Sequence, residues 1–145
     1  MSRLECGDGD NPSYLLWESN VRRGMQGKRG QAFLRELRDI LLAMPEKRLV
    51  KDDWITPQDD VCILGAYLRA KDPTVTPDRA DHINGQFEGD EGPDRFASMF
   101  NLPRCMCWDI EYRNDNEYVV GLTPEDRYAH MLKYIEKHIQ DTVTT

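Results

Sequence analysis

The pattern of apolar and polar positions along the chain predicts helices rather than strands. From Gln31 to Met44, apolar residues recur at intervals of three and four, which aligns them along one face of a helix. Pro45 marks the end of this helix because proline cannot continue it. The stripe consists of six residues: Phe33, Leu34, Leu37, Ile40, Leu41 and Met44. This segment is the clearest amphipathic helix in the sequence.

Three Thr-Pro pairs predict further helix starts. Threonine caps a helix with its hydroxyl group, and proline fits the first helical position. The pairs are Thr56-Pro57, Thr76-Pro77 and Thr123-Pro124. The first predicts a helix over 57–71, the second only a short turn, and the third a helix over 124–140 with its own apolar stripe.

The remaining segments complete an all-α fold. A short helix is expected near Tyr14, another from Pro93, and a third after Asn101 that ends near Asn114. The acidic stretch 72–92 is rich in Gly, Pro and Asp and is expected to form a long surface loop. With a mobile leader at 1–13, the chain is predicted to be one domain over 14–141. We expect a small orthogonal bundle of four to five helices.

Composition limits the class of protein and its compartment. With 145 residues, 39% hydrophobic and 31% charged, the chain fits one globular domain. It contains neither an 18-residue apolar run nor an apolar secretion segment, so we expect no membrane contact and a cytoplasmic location. The four cysteines are then expected as thiols: Cys6, Cys62, Cys105 and Cys107. The single residue between Cys105 and Cys107 does not suit zinc, and neither a metal nor a cofactor is predicted.

Charge is segregated along the chain behind a net value of −7. Residues 20–51 contain nine Lys and Arg against three acids, a balance of +6, whereas the remaining residues balance to −13. Such polarity suits docking to a charged partner. The alternative is that the two parts neutralise each other inside the fold.

The basic segment 22–38 is the first candidate binding surface. Its cations are Arg22, Arg23, Lys28, Arg29, Arg35 and Arg38. Gly24, Gly27 and Gly30 are spaced by three, which allows either close backbone approach in a helix or a loop with positive φ. A turn is expected over 27–30. The segment lacks the P-loop pattern, and a solvated basic face is the simpler interpretation.

A second candidate is a unit that resembles a DNA-binding helix-turn-helix. The apolar spacing between Ala97 and Ile110, with Asn101 at the turn, matches that motif. Its second helix would present Arg104 and Trp108 to DNA. The acids Asp109 and Glu111 would face the phosphates as well, and this argues against DNA binding. No catalytic residue is predicted, because the three histidines and the serines form no known catalytic motif.

Several stretches resemble a family of small phage and prophage proteins of unknown function. They are 20–37, 44–49, 60–66, 110–115 and 123–127, together with Phe100. The resemblance covers most of the chain but not 72–92. It implies a protein that a phage produces inside a bacterial cell, and it identifies no functional residue.

The leading hypothesis is a non-enzymatic phage accessory protein that binds a host macromolecule. A host protein is the expected partner, and inhibition of a host defence or metabolic system is the expected outcome. The first alternative is a nucleic-acid-binding protein that uses the basic segment 22–38. The second is a small-ligand binder or an enzyme of unrecognised type, which would require an apolar cavity with converging polar groups.

Overall fold

The computed structural model describes residues 13–85, 91–116 and 123–140. Within these ranges the chain forms seven α-helices, so the all-α prediction is confirmed but the expected four to five helices were too few. The predicted leader lies outside the described residues except for Ser13, which begins the first helix. The helices are α1 (Ser13–Gln26), α2 (Lys28–Ala43), α3 (Ile63–Lys71), α4 (Pro77–Asn84), α5 (Gly92–Phe100), α6 (Arg104–Asp115) and α7 (Pro124–His138).

Helix α2 confirms the strongest sequence prediction. Its stripe residues Phe33, Leu34, Leu37 and Leu41 are buried in the core. The helix begins three residues before the predicted start, because the break in the basic segment is a single residue, Gly27. The turn expected over 27–30 is therefore shorter than predicted.

Helix α1 is much longer than the short helix expected near Tyr14. It has 14 residues, and a single residue, Gly27, separates it from α2. Val21 and Met25 on this helix are buried in the core. The two helices thus form a corner, and Gly27 is its vertex.

The first Thr-Pro pair does not begin a helix, so the predicted helix over 57–71 was wrong in its first six residues. Helix α3 begins at Ile63, and Cys62 is its cap. Thr56 instead closes a loop: its hydroxyl group accepts a hydrogen bond from the Asp60 amide at 3.0 Å. Its own amide donates to the Asp60 carbonyl at 2.8 Å. A bridge between Ile55 and Val61 holds this loop closed.

The acidic stretch 72–92 contains a helix, which corrects the expectation of a long surface loop. Thr76 caps α4 by accepting a hydrogen bond from the Arg79 amide at 3.0 Å. Ala80 and Ile83 are buried, so this helix packs on the core. Gly85 ends it with a left-handed φ of 81°. Residues 86–90 lie outside the described part of the chain.

Helix α6 ends at Asp115, inside the break predicted over 114–116, and it contacts α1, α3, α5 and α7. Asn114 is fully buried because its side chain holds two other segments. Its oxygen accepts from the Ile63 amide at 3.2 Å, and its nitrogen donates to the Val50 carbonyl at 3.0 Å. Thr123 caps α7 as predicted, with a hydrogen bond from the Asp126 amide.

An aromatic cluster forms the centre of the core. The ring of Phe96 packs at centroid distances of 4.9 to 6.1 Å against four other rings. They belong to Phe33, Trp54, Tyr67 and Phe100, which come from α2, the loop before α3, α3 itself and α5. Because aromatic pairs add to the free energy of burial, this cluster joins four segments of the chain into one core.

Candidate binding surface

The glycines of the basic segment are explained by packing at the α1–α2 corner. A Cβ atom on Gly30 would lie 1.9 Å from the carbonyl oxygen of Gly24, so the two helix backbones are in direct contact. A Cβ atom on Gly24 would lie 2.9 Å from Cβ of Pro103, at the turn between α5 and α6. Only glycine permits such close approach of backbones. The corner is thus fixed by three elements.

Two of the six predicted cations support helix ends. Arg29 donates to the backbone oxygen of Asn101 at 2.8 Å and to its side-chain oxygen at 2.6 Å. Arg35 donates to the backbone oxygen of Gln140 at 2.5 Å. These carbonyls follow the last turns of α5 and α7, where carbonyl groups lack partners inside the helix. Arg29 and Arg35 therefore have a structural role that the sequence did not reveal.

Gln31 ties the same corner to α7 from a buried position. Its Nε2 atom donates to the Met25 carbonyl at 2.7 Å and to the His138 carbonyl at 2.9 Å. Its Oε1 atom accepts from the Gln140 amide at 2.8 Å. One side chain thus satisfies backbone groups at the ends of both α1 and α7.

Three cations remain exposed at the corner, and we call Arg22, Arg23 and Lys28 the basic corner. Arg23 hydrogen-bonds the neutral side chain of Asn20. Among the described residues, Arg22 and Lys28 have no ion-pair or hydrogen-bond partner for their side chains. The sixth predicted cation, Arg38, pairs with its neighbour Asp39 at 3.3 Å.

Cations elsewhere in the described chain are commonly paired with acids. Such pairs are Arg48 with Asp60, Arg69 with Asp59, Lys71 with Glu36, Arg104 with Asp94, and Arg113 with Asp109. Of these pairs, that of Arg48 joins a cation of the basic stretch 20–51 to an acid outside it, whereas Lys71 occupies Glu36, one of the acids of that stretch. Neutralisation inside the fold therefore reaches Arg48, and among the described residues the basic corner has no acidic partner.

The two residues of the helix-turn-helix prediction turn toward α5. Both Arg104 Nε and Trp108 Nε1 donate to the same oxygen of Asp94, each at 2.8 Å. The Arg104 side chain is only 14% exposed. Asp109, another residue of the predicted reading face, is buried. Asn101 lies at the turn, as the spacing predicted, and adopts a left-handed conformation, but α6 is a packed core helix.

A cleft of about 270 Å³ adjoins the basic corner, between α1, α6 and α7. Arg22 belongs to both the corner and the lining of this cleft. The other lining residues are Trp17, Glu18, Val21, Met25, Gln26, Asp109, Arg113, Tyr134 and His138. The sequence offered little signal for this site, because its side chains come from three helices up to 121 positions apart.

The buried polar groups of the cleft neutralise one another. The Asp109 carboxylate accepts hydrogen bonds from the Tyr134 hydroxyl and from Arg113 Nε. The Arg113 guanidinium also lies over the Tyr134 ring, 4.7 Å from its centroid. Burial together with the Asp109 charge raises the pKa of Tyr134, so this phenol stays protonated. His138 Nδ1 is 2.9 Å from the Tyr134 carbonyl.

Helix α6 carries a partly buried carboxyl group, that of Glu111, which the sequence did not single out. Burial raises the pKa of Glu111 to about 6, although a hydrogen bond from Trp54 Nε1 at 2.8 Å opposes this shift. Its neighbour Asp115 accepts from the Asp52 amide at 3.1 Å, and burial raises its pKa as well. We call Asp52, Glu111 and Asp115 the acidic loop end.

The cysteines provide no reactive group at this surface. Cys62 and Cys107 are buried free thiols, and burial raises the pKa of each far above its usual range. A protonated thiol is a poor nucleophile and a poor metal ligand. Cys105 is disulfide-bonded, so the prediction of a thiol was wrong there. Cys6 lies outside the described residues.

The described residues also bear on metals and membranes. Within them, no group of three His, Cys, Asp or Glu side chains is arranged to hold a metal ion. None of the seven described helices is long and apolar enough to cross a bilayer. In comparisons with known proteins, no family, no curated sequence and no solved structure matches this chain.

Proposed function

We propose that this protein is a non-enzymatic binding protein whose basic corner docks onto an acidic surface of another protein. The observation that carries the proposal is that Arg22, Arg23 and Lys28 have no acidic partner within the described part of a chain whose net charge is −7. A charge that no neighbour neutralises remains available to a partner of opposite charge. Its position on a rigid helix corner keeps the entropy cost of binding low.

A protein partner is favoured over nucleic acid because the corner is small and the rest of the molecule is acidic. The affinity of a protein for nucleic acid depends largely on the number of phosphates that its Lys and Arg side chains neutralise. Within the described residues the basic corner offers three such cations, and Arg29 and Arg35 already bind carbonyl groups. The net negative charge would also repel the phosphate backbone over distances of about one Debye length, roughly 8 Å in physiological salt.

The resemblance to phage proteins extends this proposal to a biological setting. It supports a role as an accessory protein that acts in the cytoplasm of a bacterial host, with a host protein as its partner. Binding there would inhibit a host defence or metabolic system. The stretch 20–37, one of those that carry the resemblance, contains the glycines and cations of the corner and the start of the α2 stripe.

A pull-down from bacterial lysate at low salt tests the proposal. The wild-type chain is expected to retain a partner that is lost from the triple variant Arg22→Glu, Arg23→Glu, Lys28→Glu. The matched control carries the same charge change at three exposed cations elsewhere: Arg79→Glu, Lys133→Glu, Lys137→Glu. Equal retention by both variants would contradict a role for the basic corner.

A gel-shift titration tests the nucleic-acid alternative directly. Duplex and single-stranded DNA are titrated with the wild-type chain at low and at moderate salt. We expect no shift that weakens with salt, because few phosphates can be contacted. A salt-sensitive shift that the triple variant abolishes would instead favour the nucleic-acid function over the protein-binding one.

A further inference from the structure

The cleft between α1, α6 and α7 has an inner part that requires no charged ligand. Asp109 is paired with Arg113 and hydrogen-bonded by Tyr134, so its charge is already compensated. An ion placed beside this set would gain little Coulomb energy, because the pair presents both signs of charge. The chemistry of the inner cleft therefore suits an uncharged group.

The lining of the same cleft is mixed: aliphatic and aromatic groups lie beside polar ones, and its volume is that of a single large side chain. Val21 and Met25 contribute aliphatic groups, and Trp17 contributes a half-buried indole ring. The rings of Tyr134 and His138 pack together at 4.6 Å. A volume of about 270 Å³ is at the lower limit for small-molecule pockets, which run from roughly 300 to 1,000 Å³. One large apolar or aromatic side chain fits this description.

The outer part of the cleft is basic and continues into the basic corner. Arg22 is exposed, lines the cleft and has no partner among the described residues. Leu15 and Leu16, which precede Trp17 on α1, are 68% and 44% exposed. Aliphatic and aromatic lining groups beside cations that have no acidic partner among the described residues are complementary to an apolar or aromatic side chain flanked by carboxylates.

We propose that the cleft receives one large apolar or aromatic side chain from an acidic segment of the partner protein. Asp or Glu residues next to this anchor pair with Arg22 and with the rest of the basic corner. The inference rests on the proposed function and adds the chemistry of the partner. Buried anchors of this kind carry a large share of the free energy of binding in protein interfaces.

The test uses a yeast-displayed library of short random peptides, sorted against the full chain. We expect the enriched peptides to combine a Trp, Phe or Leu with flanking Asp or Glu residues. One enriched peptide is then synthesised, and its Kd is measured by fluorescence anisotropy. Gln26→Trp fills the cleft from an exposed lining position without changing charge and is expected to weaken binding about tenfold or more.

Two further variants complete the design. Arg22→Glu is expected to weaken binding to a similar extent, whereas Arg79→Glu on α4 changes charge away from the cleft and is expected to have less than about a twofold effect. If Gln26→Trp does not fold, as judged by circular dichroism, Glu18→Trp blocks the cleft from another exposed position.

The outcomes separate the two proposals. Enriched acidic peptides that lack an apolar residue and tolerate a blocked cleft would overturn the cleft inference, while docking to the basic corner would stand. Enrichment of no acidic peptide would overturn both. Enriched peptides with apolar anchors that bind equally well to Gln26→Trp would place the anchor elsewhere and overturn the inference alone.

Discussion

The basic corner and the acidic loop end are both clusters of charged side chains, but their surroundings differ. Arg22 and Lys28 point into solvent without partners among the described residues. Glu111 is partly buried and accepts a hydrogen bond from Trp54 Nε1, and Asp115 accepts hydrogen bonds from a backbone amide and from Asn114. Water solvates the first set, whereas the protein itself solvates the second.

This difference shows that a charge run in a sequence has no single meaning. Burying a carboxyl group costs free energy unless hydrogen bonds or protonation offset the cost. A buried acid is therefore bound to specific partners within the fold. Exposed and unpaired cations contribute little to folding and are free for a partner. Four predictions test this contrast, beginning with the change of largest effect.

The first prediction concerns the glycines that support each region. Gly30 contacts Gly24 at the basic corner, and a Cβ atom on Gly65 would lie 1.8 Å from the Trp54 carbonyl oxygen in the loop next to the acidic loop end. Gly30→Ala and Gly65→Ala are each expected to lower the free energy of unfolding by about 3 kcal/mol, because backbone must move. Urea denaturation measures both losses.

Gly27→Ala is the control for these two changes. Its Cβ atom would have no contact closer than 3.6 Å, and φ is −71°, so alanine fits. A loss of only about 1 kcal/mol is expected, since alanine is a poorer helix cap than glycine. Equal losses at all three glycines would show that conformational propensity, rather than packing, determines the effect.

The second prediction addresses Asn114, which holds the loop beside the acidic loop end. Asn114→Ala leaves the buried Ile63 amide and the Val50 carbonyl without their partners. The expected loss in the free energy of unfolding is about 2–3 kcal/mol, the usual cost of unsatisfied buried groups. Asn116→Ala, on the last described residue after α6, is the nearby comparison. A loss at Asn114 below that at Asn116 would contradict this account.

The third prediction is a pH dependence from Glu111. Its pKa in the folded state is about 6, above its ordinary value of 4.5, so the folded state binds the proton first. Stability from this group therefore increases as pH falls from about 6 to 4.5, and the burial penalty is fully present above pH 6. Glu111→Gln is expected to raise the free energy of unfolding at pH 7.5 by about 1–2 kcal/mol.

Thermal denaturation of both proteins from pH 4.5 to 7.5 measures this effect. In the difference in free energy of unfolding between wild type and Glu111→Gln, the contributions of other acids, such as Asp115, cancel to a first approximation. This difference should shrink as pH falls through 6. A difference that stays constant across this range would mean that the pKa of Glu111 is the same in the folded and unfolded states.

The fourth prediction has the smallest effect on stability and completes the contrast. Arg22→Ala and Lys28→Ala are each expected to change the free energy of unfolding by less than about 0.5 kcal/mol, as is usual for exposed side chains without partners. Urea denaturation at low salt provides the measurement. A larger loss from either change would show that the basic corner supports the fold and would weaken its assignment to a partner.

Sequence patterns predicted the helices that are held by local chemistry. The stripe of α2 and the Thr123 cap of α7 depend on residues within a few positions of one another, and both are confirmed. Thr56-Pro57 has the same local chemistry, yet it closes a loop because the Ile55–Val61 bridge and the Asp59 backbone at a φ of 72° compete with the helix. Tertiary contacts decided between two locally allowed structures.

The candidate surface was predictable only in part for a similar reason. The six cations were visible in the sequence, but their separation into structural and free groups depends on Asn101 and Gln140, which lie 72 and 105 positions away. The sequence gives even less indication of the cleft. No local pattern points to Tyr134 as a polar, paired residue, because its partner Asp109 is on another helix.

The Gln31 clamp has a consequence for hydrogen exchange. The amide of Gln140 lies past the last turn of α7, where chain ends usually fray and exchange within seconds. Because the buried Gln31 Oε1 atom accepts a hydrogen bond from this amide, we expect the amide to exchange only when the α1–α2 junction opens. Its protection factor should therefore match those of the amides of α2 that pack beside it. One slowly exchanging proton near the end of the chain would then report how tightly the corner is held.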